Sequence, residues 1–318
     1  MEVTLQDKTI FTIQKLHTWI YLKLIFVQLL WSGVFIAGQL AVASQPPILT
    51  AFIRNLISSF CLIAVLCYVS PAKKFSLPPR STYFVLILMG LFGVLIYNSL
   101  VYMGLNKTTA ASASLLIPTI QPCITAFLSN WLGKESVSFK QKIGFILGLT
   151  GAGAILTDGW ALKISIENIY GNLLLVGAAL SFSIYSVLGK SVLEILTPLQ
   201  TSTYTTAIGT IFLFILTFCC EGFGSLLHSN MTFWLSMIYL AILISTLSML
   251  WWNDGIKVIG AGKTGALTYL MLPSALLLAL LILNQKPSLL QIIGGLIGLL
   301  GVFFASGLMT KLKDSKKI

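Results

Sequence analysis

From residue 23 onward the chain alternates long apolar runs with short polar breaks. Runs of about 20 residues, the length that crosses a bilayer's hydrocarbon as a helix, fall at 23–43, 48–69, 82–104, 109–132, 141–157, 169–190, 200–220, 232–253, 264–283 and 288–310. The expected fold is an all-α membrane protein of ten transmembrane helices. The loops between runs are short, so no soluble domain fits and function must reside inside the bundle. Ahead of the first run, "TIFTIQKLHTWIYL" spaces Ile10, Ile13, Trp19 and Ile20 roughly as one helical face, which predicts an interfacial helix within segment 1–22. Lys15, Lys23, the run from Leu24 to Leu40 and "AVAS" at 41–44 imitate a secretory signal. That run is too long for a signal's apolar region and ends too far from the N-terminus.

The pattern repeats itself. Shifted by 151 residues, Trp31 meets Phe182, Ser32 meets Ser183, Gly38 meets Gly189, Gly104 meets Gly255 and Pro122 meets Pro273. After one deletion the shift becomes 150, and "QKIGFILGLTG" (141–151) overlays "QIIGGLIGLLG" (291–301), matching Gln141, Gly144, Gly148 and Gly151 to Gln291, Gly294, Gly298 and Gly301. The repeats are 23–157 and 169–310, each with five spans. An odd number of spans makes the halves enter the membrane in opposite directions, an inverted repeat about an axis in the membrane plane. Such a scaffold has two related conformations, one open to each side, which is the basis of alternating access.

Composition agrees with this placement. At 57% hydrophobic and 9% charged, the chain lacks the polar surface of a soluble globule. Its net charge of +11 raises the question of a nucleic-acid partner, which the distribution answers. With the N-terminus inside, most Lys and Arg, including Lys73, Lys74, Lys134 and the basic tail 311–318, fall on the cytoplasmic side; Lys107, Lys163 and Lys286 fall outside and Arg54 lies within a span. That bias places both termini in the cytoplasm and argues against nucleic acid. The five cysteines show no metal-ligand spacing and read as small packing residues.

Several features together resemble the EamA family of the drug/metabolite transporter superfamily. They are the two five-span halves, Trp31 in the first span, "AFIRN" (51–55), "VYMGLNKTTAASASLLIPTIQP" (101–122), "GKES" (133–136) and the Gln-Gly helix beyond it. The likeness covers about residues 22–310. It implies a multi-pass protein of the bacterial inner membrane that moves small metabolites, often amino acids or related solutes, without a cofactor. Departures lie in the second half, where Thr205 stands opposite Arg54 and Gln285 opposite Glu135.

Polar groups within spans are costly unless they face protein or a wet cavity, so they are the candidate solute contacts. Ser114, Pro118 and Gln121 share one face of the fourth span. Tyr97, Asn98 and Tyr102 lie on the third, Trp31 on the first, Ser183 and Tyr185 on the sixth, Trp252 on the eighth and Tyr269 on the ninth. For each a plainer reading stands beside the functional one. Small residues and serines let helices approach, aromatics near span ends, such as Trp160, Trp234 and Trp251, anchor to the interface, and Pro118 and Pro122 either bend the helix or expose carbonyls. Arg54 lies about 10 Å into its helix; it pairs with a solute carboxylate, snorkels, or ties down backbone carbonyls. None of the nine Asp and Glu residues falls inside a span, which disfavours a proton-coupled drug exporter built on a buried carboxylate. An intramembrane enzyme is the rival from another class, but Ser225 and His228 share an outer loop, and Asp158 and Asp254 lie on opposite sides. The expected partners are a small solute and the lipid bilayer; one chain already carries both halves, so a monomer suffices.

Overall fold

The computed structural model describes residues 5–69, 78–108, 110–132, 138–157, 166–271, 274 and 289–305. Among the described residues every regular element is helical. Helix α1 (Leu5–Trp31) carries the N-terminal segment unbroken into the first span, pauses at Ser32 and Gly33, and resumes as α2 (Val34–Val42). At the pause the Ser32 hydroxyl donates to the Gln28 carbonyl at 2.8 Å. Helix α3 (Pro47–Val69) is the second span. The third is composite: α4 (Tyr83–Gly90), a π-helical stretch Leu91–Ile96, then α5 (Tyr97–Leu105). Helices α6 (Ala110–Trp131) and α7 (Phe139–Thr157) complete the first repeat.

The second repeat runs through α8 (Ile166–Leu193), α9 (Pro198–Cys220), α10 (Met231–Ile238), a π-helical stretch Tyr239–Ser248, α11 (Met249–Ile259), α12 (Ala261–Ala266), a 3₁₀ turn Leu267–Leu270 and α13 (Leu289–Ala305). Local chemistry sets several of these ends. Thr197 opens α9 with a capping box: its hydroxyl accepts from the Gln200 N–H at 3.2 Å while Gln200 Oε1 accepts from the Thr197 N–H at 3.0 Å. Pro198 comes next, at the first helical position, where no hydrogen-bond donor is lost. Gly260, at φ 88°, turns the chain from α11 into α12 in a conformation that disfavours residues with a Cβ.

Among the described residues six stretches are long and apolar enough to cross a membrane: Thr18–Val42, Pro47–Val69, Arg80–Leu105, Tyr170–Leu193, Pro198–Cys220 and Met231–Ile259. Glu135, Trp160, Pro273, most of the ninth run, Gln285 and the tail 311–318 lie outside the described residues. Polarity is arranged inside out. Phe60, Phe84, Phe127, Ile146, Leu173, Phe218 and Leu296 are exposed, whereas Thr50, Arg54, Asn55, Ser58, Asn98, Ser183, Thr201 and Asn253 are buried. That is the arrangement expected when hydrocarbon is the solvent.

The packing obeys the internal repeat. Ser59 and its mate Thr210 share a hydrogen bond at 2.9 Å, and Trp31 meets its mate Phe182 edge to face at 5.8 Å. Contacts off this line come in exchanged pairs. A Cβ on Gly104 would sit 2.9 Å from Leu175, and one on Gly255 would sit 2.9 Å from Leu24, the mate of Leu175. A Cβ on Gly151 would fall 2.5 Å from the Gly294 carbonyl oxygen and 2.6 Å from the Gly298 nitrogen; one on Gly301 would fall 2.8 Å from the Gly144 oxygen and 2.7 Å from the Gly148 nitrogen. Ascending residues of α7 therefore meet descending residues of α13. The same holds for α3 and α9, where Thr217 reaches back to the Ile48 carbonyl at 3.5 Å. Each of these helices lies antiparallel to its own repeat mate.

Glu221, just past α9, closes the second of these pairs. Its carboxylate accepts from the Leu49 N–H at 2.7 Å and the Ile48 N–H at 3.2 Å, satisfying free donors at the positive end of α3. Replacing Glu221 with Gln keeps an acceptor but removes the charge, so a loss of about 1 kcal/mol is expected. Thermal unfolding in detergent reads it as a drop of a few degrees; an unchanged midpoint would show that the contact adds nothing.

Candidate functional site

Between the two repeats lies a cavity of about 30 Å³ lined by Trp31, Val34, Phe35, Arg54, Tyr97, Ile117, Gln121, Phe182, Ile244, Met249, Thr268 and Met271. It straddles the line of repeat mates, since Trp31 and Phe182 both face it, as do Ile117 and Thr268, another pair 151 apart. As it stands the space suits about two water molecules. A metabolite enters only when the helices part.

The floor is aromatic. Trp31 lies 4.9 Å from Trp252, and Phe182 lies 4.9 Å from Tyr97, 5.5 Å from Tyr185 and 5.5 Å from Trp252. Arg54 enters from α3 and is 6% exposed. Its Nε donates to Ser245 Oγ at 2.6 Å and its Nη1 to the Tyr102 hydroxyl at 3.1 Å. Both partners are neutral. The ion pair among the described residues is elsewhere, Lys23 to Asp254 at 2.7 Å, joining α1 to α11.

Both π-helical stretches adjoin this site. They occupy matching positions in the two repeats, and the second supplies Ile244 to the lining and Ser245 to Arg54, while the first ends beside Tyr97. Wide turns of this kind recur at functional sites. Within the second, Thr246 and Ser248 donate to carbonyls five residues back, Ala241 and Leu243, at 2.8 and 2.7 Å.

The two flanks of the aromatic floor differ. Val34 lines the cavity; its mate Tyr185 is outside that lining, and its ring presses on the bare backbone of Gly93. The Tyr185 hydroxyl donates to Asn253 Oδ1 at 3.1 Å, and Asn253 Nδ2 donates to Ser202 Oγ at 2.8 Å. Asn253 is the mate of Tyr102, and Thr205, near Ser202, the mate of Arg54. Matching positions thus line a cavity beside a cation in one repeat and join a neutral hydrogen-bonded network in the other.

Of the residues singled out from sequence, Trp31, Arg54, Tyr97 and Gln121 line the cavity. Tyr102 stands behind Arg54 as its hydrogen-bond partner, and Trp252 stands behind Trp31 in a tilted ring contact. Asn98 is buried but turned back onto its own helix, donating to the Val94 carbonyl at 2.8 Å. Ser183 ties α8 to α6 by accepting from Thr125 Oγ1 at 2.9 Å and donating to the Gln121 carbonyl at 3.2 Å. Tyr269 is packed over the backbone of Gly148, with its hydroxyl 3.3 Å from Cys123 Sγ. Ser114 and Pro118 are buried in α6 outside the lining. Lining residues not singled out from sequence are chiefly apolar, Val34, Phe35, Ile117, Phe182, Ile244, Met249 and Met271, with Thr268. Phe182 alone had a signal, as the mate of Trp31.

Comparison with known proteins gives a consistent picture. The sequence profile of the EamA-like transporter family matches twice, at residues 18–157 and 169–307. The chain is 28% identical over 295 residues to the uncharacterized transporter YyaM of Bacillus subtilis, covering 92% of this chain and 95% of that one. It is 27% identical to an uncharacterized transporter of Archaeoglobus fulgidus, covering 90% and 96%. A probable terminal-alkyne amino-acid exporter of Streptantibioticus cattleyicolor is 27% identical over 216 residues, 68% of this chain and 70% of that one. A crystal structure superimposes with a TM-score of 0.70 at 20% identity, covering 91% of this chain and 98% of the other, a likeness in fold.

Proposed function

Because the chain belongs to the EamA-like transporter family, whose relatives here are named as transporters, we propose that it is a secondary carrier or facilitator that moves a small metabolite by alternating access. In this reading ten helices span the bacterial inner membrane as two inverted halves with both termini cytoplasmic, and one chain is the working unit. An amino acid or related solute is the favoured cargo, in line with the name of the exporter relative. The unequal flanks of the aromatic floor carry the proposal. Trp31 and Phe182 sit at the junction of the repeats, with a cavity on one flank and the Tyr185–Asn253–Ser202 seal on the other. An antiparallel repeat lets the seal form on either flank in turn. Among the described residues the cavity lining contains no Asp or Glu, which disfavours a carboxylate that trades a proton for a cationic drug there.

The test is solute flux in liposomes that contain only this protein, loaded with a mixture of amino acids, organic acids, amines and sugars and assayed by mass spectrometry. Saturable release of a subset is expected, and Phe182→Ala should reduce it at least tenfold by leaving the floor open. If no member of the mixture moves, the carrier reading fails.

A further inference from the structure

We propose that the cavity recognises its solute by a single acid group, held by Arg54, with an apolar or aromatic body lying against Trp31, Tyr97 and Phe182. Binding itself is independent of the carrier reading, and only the later passage of the solute across the membrane rests on it. The guanidinium of arginine is a cation, and among the described residues the buried Arg54 hydrogen-bonds two hydroxyls, Ser245 and Tyr102. Neither supplies negative charge. A buried cation without a counter-charge is strongly unfavourable, and the face of Arg54 that lines the cavity is where a counter-charge fits.

The other polar atoms around the cavity point to the same chemistry. Trp31 Nε1, Gln121 Nε2 and the Thr268 hydroxyl are buried with no hydrogen-bond partner among the described residues. The indole can only donate, the amide nitrogen donates and the hydroxyl is free to. A lining whose unused polar atoms offer hydrogens, beside one fixed cation, complements a carboxylate. A phosphate dianion would leave one of its charges uncompensated, because among the described residues Arg54 is the only Lys or Arg in the lining. A cationic amine would meet Arg54 with no carboxylate to offset the repulsion. The clamp from Ser245 and Tyr102 holds the guanidinium plane, so these two act as positioning residues.

Full-length protein in detergent is titrated with phenylacetate, L-phenylalanine, phenylacetamide, phenethylamine and phenyl phosphate, read by thermal stabilisation and by fluorescence of the cavity tryptophan. The two carboxylates should stabilise the protein, and the amide, the amine and the phosphate should not. Arg54→Gln should weaken carboxylate binding at least tenfold, Arg54→Lys less, and Tyr102→Phe several-fold. Without ligand, Arg54→Gln should unfold no earlier than the parent, whereas an arginine with a purely structural role would lower the midpoint. The proposal is overturned if the amide or amine binds as well as the acid, if no acid binds, or if Arg54→Gln binds unchanged. Flux separates the two readings. Arg54-dependent binding without transport in liposomes sinks the carrier and keeps the subsite; transport of a non-acid that survives Arg54→Gln keeps the carrier and sinks the subsite.

Discussion

Gly151→Val is expected to abolish recovery of folded, monodisperse protein, and Gly301→Val to do the same. At both positions the neighbour is backbone: the Gly294 oxygen and Gly298 nitrogen for one, the Gly144 oxygen and Gly148 nitrogen for the other, all within 2.8 Å of where a Cβ would sit. No rotamer change relieves such a clash, so α7 and α13 must separate along their length. Helices in membranes associate through close packing rather than through release of water, and lost contact therefore has no compensating hydrophobic term. Overpacking typically costs 1–3 kcal/mol for inserted methylenes; three added carbons against main chain place the expected loss at or above the top of that range. Size-exclusion chromatography after mild solubilisation checks it. A sharp control is Gly224→Val, in an exposed turn with nothing near the added atoms, which should leave the profile unchanged. Normal yield of Gly151→Val would mean that the helices approach less closely than these distances require.

The second large effect is conformational. Tyr185→Phe removes the hydroxyl that Asn253 Oδ1 accepts from, leaving a buried amide oxygen unpaired at a cost of about 1–3 kcal/mol. Under the proposed alternating access that cost falls on the sealed flank alone, so it shifts the balance between the two conformations by about tenfold, at 1.4 kcal/mol per factor of ten. In a background without the native cysteines, Val34→Cys reports the cavity flank and Thr205→Cys the sealed one. Tyr185→Phe should slow alkylation of the first and speed that of the second. Equal acceleration of both would indicate loosened packing instead of an exchange of flanks.

Much of the scaffold was legible because it rests on spacing. The 151-residue shift pairs Trp31 with Phe182, and the Gln-Gly pattern marks α7 and α13, the very helices whose backbones touch. The cavity was only partly legible. Arg54 and Gln121 stand out because amides and charges are rare within spans, but Ile117 and Met271 look like any core residue. Tyr269 and Ser183 show the opposite difficulty: a polar tip does not reveal whether it meets a cavity or a neighbouring helix. Neighbours in sequence also part company. Tyr97 and Asn98 come directly after Leu91–Ile96, and one lines the cavity while the other folds back to Val94. Ser114, Pro118 and Gln121 share a face by period and are all buried, yet only the last reaches the cavity.

Ser59 and Thr210 stand apart from every off-axis contact. Exchanging the roles of the two repeats carries their hydrogen bond onto itself, so under the proposed alternating access it is a fixed point of the motion, with nearly the same energy before and after. Breaking it with Ser59→Ala weakens both conformations alike. The molecule loses ground overall while its preference for one side is left almost untouched, which makes this pair an axle rather than a latch.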